Sequence, residues 1–197
     1  IYSTVRGGGY AWMSGTSMAA PHVSGAAALI WGLNPDWSYR QVIAKLTATV
    51  DPLPSLAGKV ATGGRLNVGR AITSETVGPQ ILSATQADSP NAATGRIRLR
   101  FTEAIYPSSF TPADILSLTG PDGQSVSVSR VSLVPGSENQ EFDVDFSLNG
   151  AGLYQIVVGP EIFDLAGNFM DQDGDGFNGV IPHDQFVGTI DVVMPPE

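Results

Sequence analysis

The most informative stretch of this 197-residue chain is Gly15-Thr16-Ser17-Met18-Ala19-Ala20-Pro21-His22. The residues that follow it, 23–30, are small or apolar on nearly every side of a helix, a pattern typical of a helix buried inside a protein. We therefore predict a buried helix over residues 17–33 that ends before Asn34 and Pro35. Ser17 then lies at a helix N-terminus, where unpaired N–H groups and a partial positive charge favour a developing anion.

Local signals predict further helices and strands around this stretch. Residues 1–5 are rich in residues that favour strands, the glycines at 7–9 indicate a turn, and residues 10–13 return towards Ser17. Ser38, with Gln41 three residues later, predicts a capped second helix. Asn67 predicts the cap of a short helix over 68–72.

Residues 15–22 resemble the nucleophile motif of the subtilisin-like serine proteases (the subtilases), and residues 53–67 resemble the segment that follows it in that family. The resemblance implies that Ser17 is a catalytic nucleophile acting on a protein or peptide substrate. In this family the triad follows the chain order Asp, His, Ser. We therefore expect the triad Asp and His, with the oxyanion Asn, in a missing N-terminal part of the catalytic domain, and we expect the fragment alone to be inactive.

The chain contains two histidines, and we expect neither to be the base that activates Ser17. Five helical residues separate His22 from Ser17, which turns its side chain by about 140° and moves it on the order of 7 Å along the axis. His183 falls in a predicted turn of the second half, so it too is unsuited to reach the serine. The plainer alternative for Ser17 is a helix cap in a Gly-Thr-Ser turn.

Charge divides the chain into two parts. Residues 1–75 hold six Lys or Arg and three Asp or Glu, whereas residues 76–197 hold four and sixteen. The acidic second part argues against a nucleic-acid partner, which needs a basic surface, and the absence of long apolar runs argues against a membrane span. The chain contains no cysteine, and the resemblance implies a secreted or cell-surface protein.

The predicted fold class is α/β followed by an all-β Ig-like sandwich. Residues 1–75 are expected to be the C-terminal part of a subtilase catalytic domain, 76–80 a linker and 81–194 the sandwich. Apolar and polar residues alternate cleanly over 96–101 and 141–146, which is typical of half-buried strands. Further strands are predicted at 81–84, 126–133, 153–158 and 187–193. This part resembles bacterial Ig-like modules, with Asp164-Leu165-Ala166-Gly167-Asn168 near its end.

An acidic loop in the second part predicts a calcium site. Asp171, Asp173 and Asp175 occupy positions 1, 3 and 5 of an EF-hand-like pattern, with the Phe177 carbonyl at position 7. Pro182 stands where the bidentate Glu of such loops belongs, so the closing carboxylate is left open between Asp184 and Asp164. A solvated acidic turn is the alternative.

The leading hypothesis is the C-terminal portion of a secreted serine endopeptidase with an appended, calcium-binding Ig-like module. The rival hypothesis is a non-catalytic calcium-binding adhesion or structural module with a truncated protease segment. A third possibility is that residues 1–75 cannot fold alone, because their central helix expects a parallel sheet that is absent, which would leave an apolar surface open to aggregation.

Overall fold

A computed structural model describes residues 1–73, 76–88, 91 and 93–194. The chain contains both helices and strands, and it divides into two compact units, Ile1–Ser74 and Glu75–Glu197. Each unit has a hydrophobic cluster of its own.

Over residues 1–73 the first unit has three α-helices, one 3-10 helix (Pro54–Leu56) and two short sheets. Strands β1 (Tyr2–Val5) and β2 (Gly9–Trp12) form an antiparallel hairpin that leads into helix α1 (Thr16–Leu33). Helix α2 (Tyr39–Ala48), strands β3 (Asp51–Pro52) and β4 (Gly64–Arg65) and helix α3 (Val68–Thr73) follow. Both sheets are antiparallel, and residues 1–73 contain no parallel strand pair.

The predicted caps of α2 and α3 are present. The Ser38 hydroxyl accepts a hydrogen bond from the backbone N–H of Gln41, whose side-chain oxygen accepts from the N–H of Ser38 at 2.7 Å. The Asn67 side chain accepts from the N–H of Arg70 at 2.9 Å. Each bond satisfies a backbone donor that a helix start would otherwise leave unpaired, which fixes where these helices begin.

Helix α1 has nearly the predicted bounds, but the prediction that it is buried is wrong. Only Ala26 and Ile30 are buried, and they pack against residues of α2 and α3. Val23, Leu29 and Leu33 are 47, 46 and 59% exposed. The two short helices cover one side of α1 and nothing within this unit covers the others. Among the described residues, no helix combines the length and apolar character needed to cross a membrane.

The second unit contains two antiparallel sheets. Its strands are β5 (Ile81–Gln86), β6 (Thr94–Phe101), β7 (Ile115–Thr119), β8 (Val128–Leu133), β9 (Glu141–Ser147), β10 (Gly152–Val158) and β11 (Phe186–Val192). One sheet has the order β5-β6-β9-β8 and the other the order β11-β10-β7. Alternate side chains from both sheets form one buried cluster, which includes Ile97, Leu99, Phe101, Val144, Phe146, Tyr154, Ile156 and Val158.

The stretch predicted to be a linker, residues 76–80, is hydrogen-bonded into the second unit. The carbonyl of Thr76 accepts from the Asn178 side chain, and the carbonyl of Pro79 accepts from the N–H of Asp171. Residues of a free linker would offer these carbonyls to water. The segment is therefore a structural part of the second unit.

A row of ion pairs crosses the outer face of the four-stranded sheet, on the side opposite the apolar residues of β6. Arg96 donates to both carboxylate oxygens of Asp145, at 2.6 and 3.0 Å, and Arg98 does the same with Asp143, at 2.8 and 3.1 Å. Arg100 is 59% exposed and lies 4.0 Å from Glu141. Bidentate pairs on partly buried carboxylates contribute more to stability than exposed pairs do.

We predict that Arg96→Ala lowers the free energy of unfolding by about 1–3 kcal/mol, because Asp145 stays buried without its charge partner. The matched change Arg100→Ala should cost no more than about 0.5 kcal/mol, since its pair is long and solvated. Urea unfolding of the full chain followed by circular dichroism measures both. Equal losses in the two variants would contradict this account.

Candidate catalytic serine and candidate metal site

Ser17 lies on the first turn of α1, two residues after a glycine that the backbone requires. Gly15 precedes the helix with φ +152°, a conformation that residues with a side chain rarely adopt. The chain then enters the helix at Thr16, and Ser17 is exposed. Its hydroxyl makes no hydrogen bond to any described residue, so it is free to meet an external group.

Pro21 loosens the turn that carries the serine. A proline inside a helix has no N–H, so the Ser17 carbonyl, four residues earlier, lacks its usual helical donor. The turn is held instead by the Gly15 carbonyl, which accepts from the N–H groups of Met18 at 3.1 Å and Ala19 at 3.3 Å. The helix start is thus anchored ahead of the serine.

The described residues of the first unit do not supply a base for Ser17. His22 is the one histidine of this unit, and its Nδ1 lies 3.0 Å from the Met18 carbonyl oxygen, one turn back along α1. A hydroxyl becomes an effective nucleophile only when a positioned base removes its proton. The geometry therefore presents an exposed serine hydroxyl at a helix N-terminus, with no base beside it among the described residues of this unit.

The second unit brings three carboxylates of the acidic loop together. Asp171, Asp173 and Asp184 each place one carboxylate oxygen within 4.8 Å of the others. Asp184 is fully buried and Asp171 is 4% exposed, whereas Asp173 is accessible. Oxygen ligands of this kind suit hard divalent cations, so the cluster can hold a metal ion.

Two buried oxygens of this cluster accept no hydrogen bond from the described residues. They are Oδ1 of Asp171 and Oδ1 of Asp184. The partner oxygens are occupied, because Oδ2 of Asp171 accepts from the N–H of Gly176 at 3.1 Å and Oδ2 of Asp184 accepts from that of Val180 at 2.7 Å. Buried polar atoms in folded proteins nearly always have a partner, so each open oxygen calls for one.

Electrostatics also favours a cation here. Burial raises the pKa of Asp184, the charge of Asp171 raises it further, and backbone N–H groups, led by that of Val180, oppose the rise. Two charged carboxylate oxygens no more than 4.8 Å apart repel by at least about 3 kcal/mol at an effective dielectric constant near 20. A divalent cation between the two carboxylates would attract both of them and outweigh their mutual repulsion.

The predicted metal ligands are only partly brought together. Asp171 and Asp173 belong to the cluster, but Asp175 lies outside it, and its Oδ1 accepts from the N–H of Phe177 at 2.8 Å. The Phe177 carbonyl as a ligand stays a prediction.

Of the two residues proposed to close the site, the structure favours Asp184. Asp164 is satisfied by its own turn, since it accepts from the N–H groups of Ala166 and Asn168 and from the Asn168 side chain. Asp184 instead meets Asp171 and Asp173. The closing carboxylate comes two residues later than in an EF-hand pattern, because residues 181–184 form a turn that returns the chain to the loop.

Comparisons with known proteins match the two units to two families. Residues 1–89 match the subtilase family, and residues 75–178 match the bacterial Ig-like domain. Subtilisin-like protease 1 of Plasmodium berghei is 47% identical over 72 residues, which cover 36% of this chain and 12% of that protein. Subtilisin of Bacillus pumilus is 51% identical over 55 residues, 28% of this chain and 20% of that protein.

A solved structure gives a weaker likeness. The S-layer protein rSbsC matches 88% of this chain with 22% of its own, at 12% identity and a TM-score of 0.44, and a score at this level supports no argument. The chain spans a fifth or less of the length of the two curated relatives named above. The bacterial Ig-like model covers more than half of the chain, so the chain belongs to the bacterial Ig-like domain family, and its first 89 residues are similar to subtilases.

Proposed function

We propose that Ser17 is the nucleophile of a serine endopeptidase that hydrolyses peptide bonds through an acyl-enzyme. The observation that carries the proposal is an exposed serine on the first turn of a helix, two residues after Gly15, within the segment that matches the subtilase family. The Ser17 oxygen attacks the peptide carbonyl carbon, its proton passes through a base to the departing amine, and water then releases the acyl group. Unpaired N–H groups at the helix start favour the negative oxygen that forms.

The proposal assigns the base, its orienting carboxylate and a second oxyanion donor to another part of the catalytic domain. The first unit offers a surface for that part, since apolar side chains of α1 and of the hairpin remain exposed. They include Tyr2, Tyr10, Trp12, Val23, Leu29 and Trp31. Burying such side chains is favourable by about 25 cal/mol per Å² of apolar area, so a covering domain would stabilise this unit.

The proposal also places the protein outside the cell or on its surface, as expected for a subtilase of this kind. The rival function is a non-catalytic calcium-binding adhesion or structural module, which the independent core of the second unit would serve equally well. The two differ in one chemical property: only the peptidase needs a reactive Ser17.

We predict that a fluorophosphonate probe labels Ser17 in the intact protein that carries this segment. Ser17→Ala should abolish labelling and lower peptide turnover by about 10⁶-fold, the scale expected when a triad serine is removed. Ser14→Ala is the matched control, because Ser14 is exposed three residues earlier and should leave labelling unchanged. An intact protein that does not react, or labelling that survives Ser17→Ala, would favour the rival function.

We further propose that the Ig-like module binds calcium through Asp171, Asp173 and Asp184. Its support is the pair of buried carboxylate oxygens without a hydrogen-bond partner, which a hard cation would satisfy. Three carboxylates without additional charged ligands suit the weak affinities, about 10⁻⁴–10⁻³ M, typical of extracellular modules. Such an affinity fits a secreted protein.

We predict that calcium raises the melting temperature of the full chain by an amount on the order of 10 °C once its concentration reaches about 100 times the dissociation constant. Asp184→Asn should remove this rise. The same change should raise the melting temperature in chelator, because the amide keeps an acceptor for the N–H of Val180 and deletes a buried charge.

The matched control is Asp175→Asn, which keeps an acceptor for the N–H of Phe177 and should keep the calcium response. Thermal unfolding of each variant, followed by circular dichroism in calcium and in chelator, measures the calcium response. Identical wild-type curves in the two conditions would remove the calcium site, and a response retained in Asp184→Asn would exclude this ligand set.

A further inference from the structure

The first residues of the second unit, 76–81, lie against the loop that carries the metal-binding carboxylates; we call them the leading segment. Two side-chain amides from that loop hold its beginning. Asn178 donates to the Thr76 carbonyl at 2.9 Å, and Asn168 donates to the Val77 carbonyl at 3.1 Å. These bonds join residues about 90 to 100 positions apart in the chain.

The end of the leading segment is fastened to Asp171 and Gln172. The N–H of Asp171 donates to the Pro79 carbonyl at 3.2 Å, and the Gln80 side chain donates to the Asp171 carbonyl at 2.8 Å. Gln172 holds both backbone groups of Ile81, accepting from its N–H at 2.8 Å and donating to its carbonyl at 3.3 Å. The residue that supplies a buried metal ligand is thus bonded directly to the leading segment through its backbone.

Close backbone contact reinforces this attachment at Gly78. A Cβ atom at Gly78 would collide with the Phe169 carbonyl oxygen, so only glycine lets the two backbones approach so closely. The leading segment therefore follows any displacement of residues 169–172, and the position of that stretch depends on the charges beside it.

Without a cation, the carboxylates of Asp171 and Asp184 repel one another across the buried loop. Repulsion is relieved when residues 171–173 move away from residue 184, and such a movement strains the bonds to Pro79, Gln80 and Ile81. With a cation, the same carboxylates are drawn together and the bonds are preserved.

We propose that a calcium ion held by Asp171, Asp173 and Asp184 fastens the leading segment to the acidic loop, so that calcium regulates how firmly the start of the Ig-like module is held. This inference rests on the calcium binding proposed above. It assigns the ion a defined effect on residues 76–81, in addition to its effect on the stability of the module. Calcium depletion would then open this stretch of chain, at the start of the second unit, to local unfolding and proteolysis.

Amide hydrogen exchange of the full chain, read by mass spectrometry or NMR, tests the inference, alongside calorimetric titration with calcium chloride. We expect calcium to slow exchange of the Ile81 amide, which donates to the Gln172 side chain, at least tenfold relative to chelator. Amides of Ile97 and Leu99 at the centre of the four-stranded sheet should change far less, because they lie away from the loop. Asp184→Asn should abolish the slowing, and Asp175→Asn should keep it.

The variant Gln172→Ala separates calcium binding from the effect of calcium on the leading segment. Gln172 bonds Ile81 through its side chain, which the change to alanine removes. This variant should therefore still bind calcium in the titration, but calcium should no longer slow amide exchange at Ile81. If the wild type binds calcium and exchange at Ile81 is unaffected, the inference is overturned and calcium binding stands. If titration detects no calcium binding, both are overturned.

Discussion

The placement of Ser17 in the first unit depends on one backbone constraint, the turn at Gly15. Its φ of +152° brings the chain from the hairpin into α1 so that Ser17 emerges exposed on the first helical turn. A residue with a side chain would strain this turn and displace the serine relative to the helix N-terminus. Pro21 adds to the arrangement by freeing the Ser17 carbonyl from the helical ladder. The local chain thus sets the orientation of Ser17, the proposed nucleophile, and leaves its activation to other residues.

In the second unit a different constraint links the loop to the rest of the module. Asp171 contributes a carboxylate to the acidic cluster and a backbone N–H and carbonyl to the leading segment. The side chain of Asp171 is therefore repelled by the neighbouring carboxylates, while its backbone is hydrogen-bonded to Pro79 and Gln80. An ion that satisfied its open oxygen would act on both, and this is how the proposed calcium site would be coupled to the start of the module.

Sequence patterns predicted the ends of α1 and the cap at Ser38, because these depend on neighbouring residues. They were wrong about the burial of α1. Burial depends on which other elements cover a helix, and the apolar run at 26–30 is the same whether the helix is covered or exposed. Strand β7 was missed because, of its five residues, only Leu118 is buried and the alternation is weak. Asp171 and Asp173 were found by spacing, but Asp184 joins them through a turn whose geometry no spacing rule describes.

The central claim is that the side-chain oxygen of Ser17 forms a covalent bond with the substrate carbonyl carbon. Mass spectrometry of the intact protein, quenched during turnover of an activated ester, tests it most directly. The account predicts one acyl group per molecule, located at Ser17 within the tryptic peptide of residues 7–40. An acyl group on another residue, or steady turnover with no trapped acyl group, would contradict it.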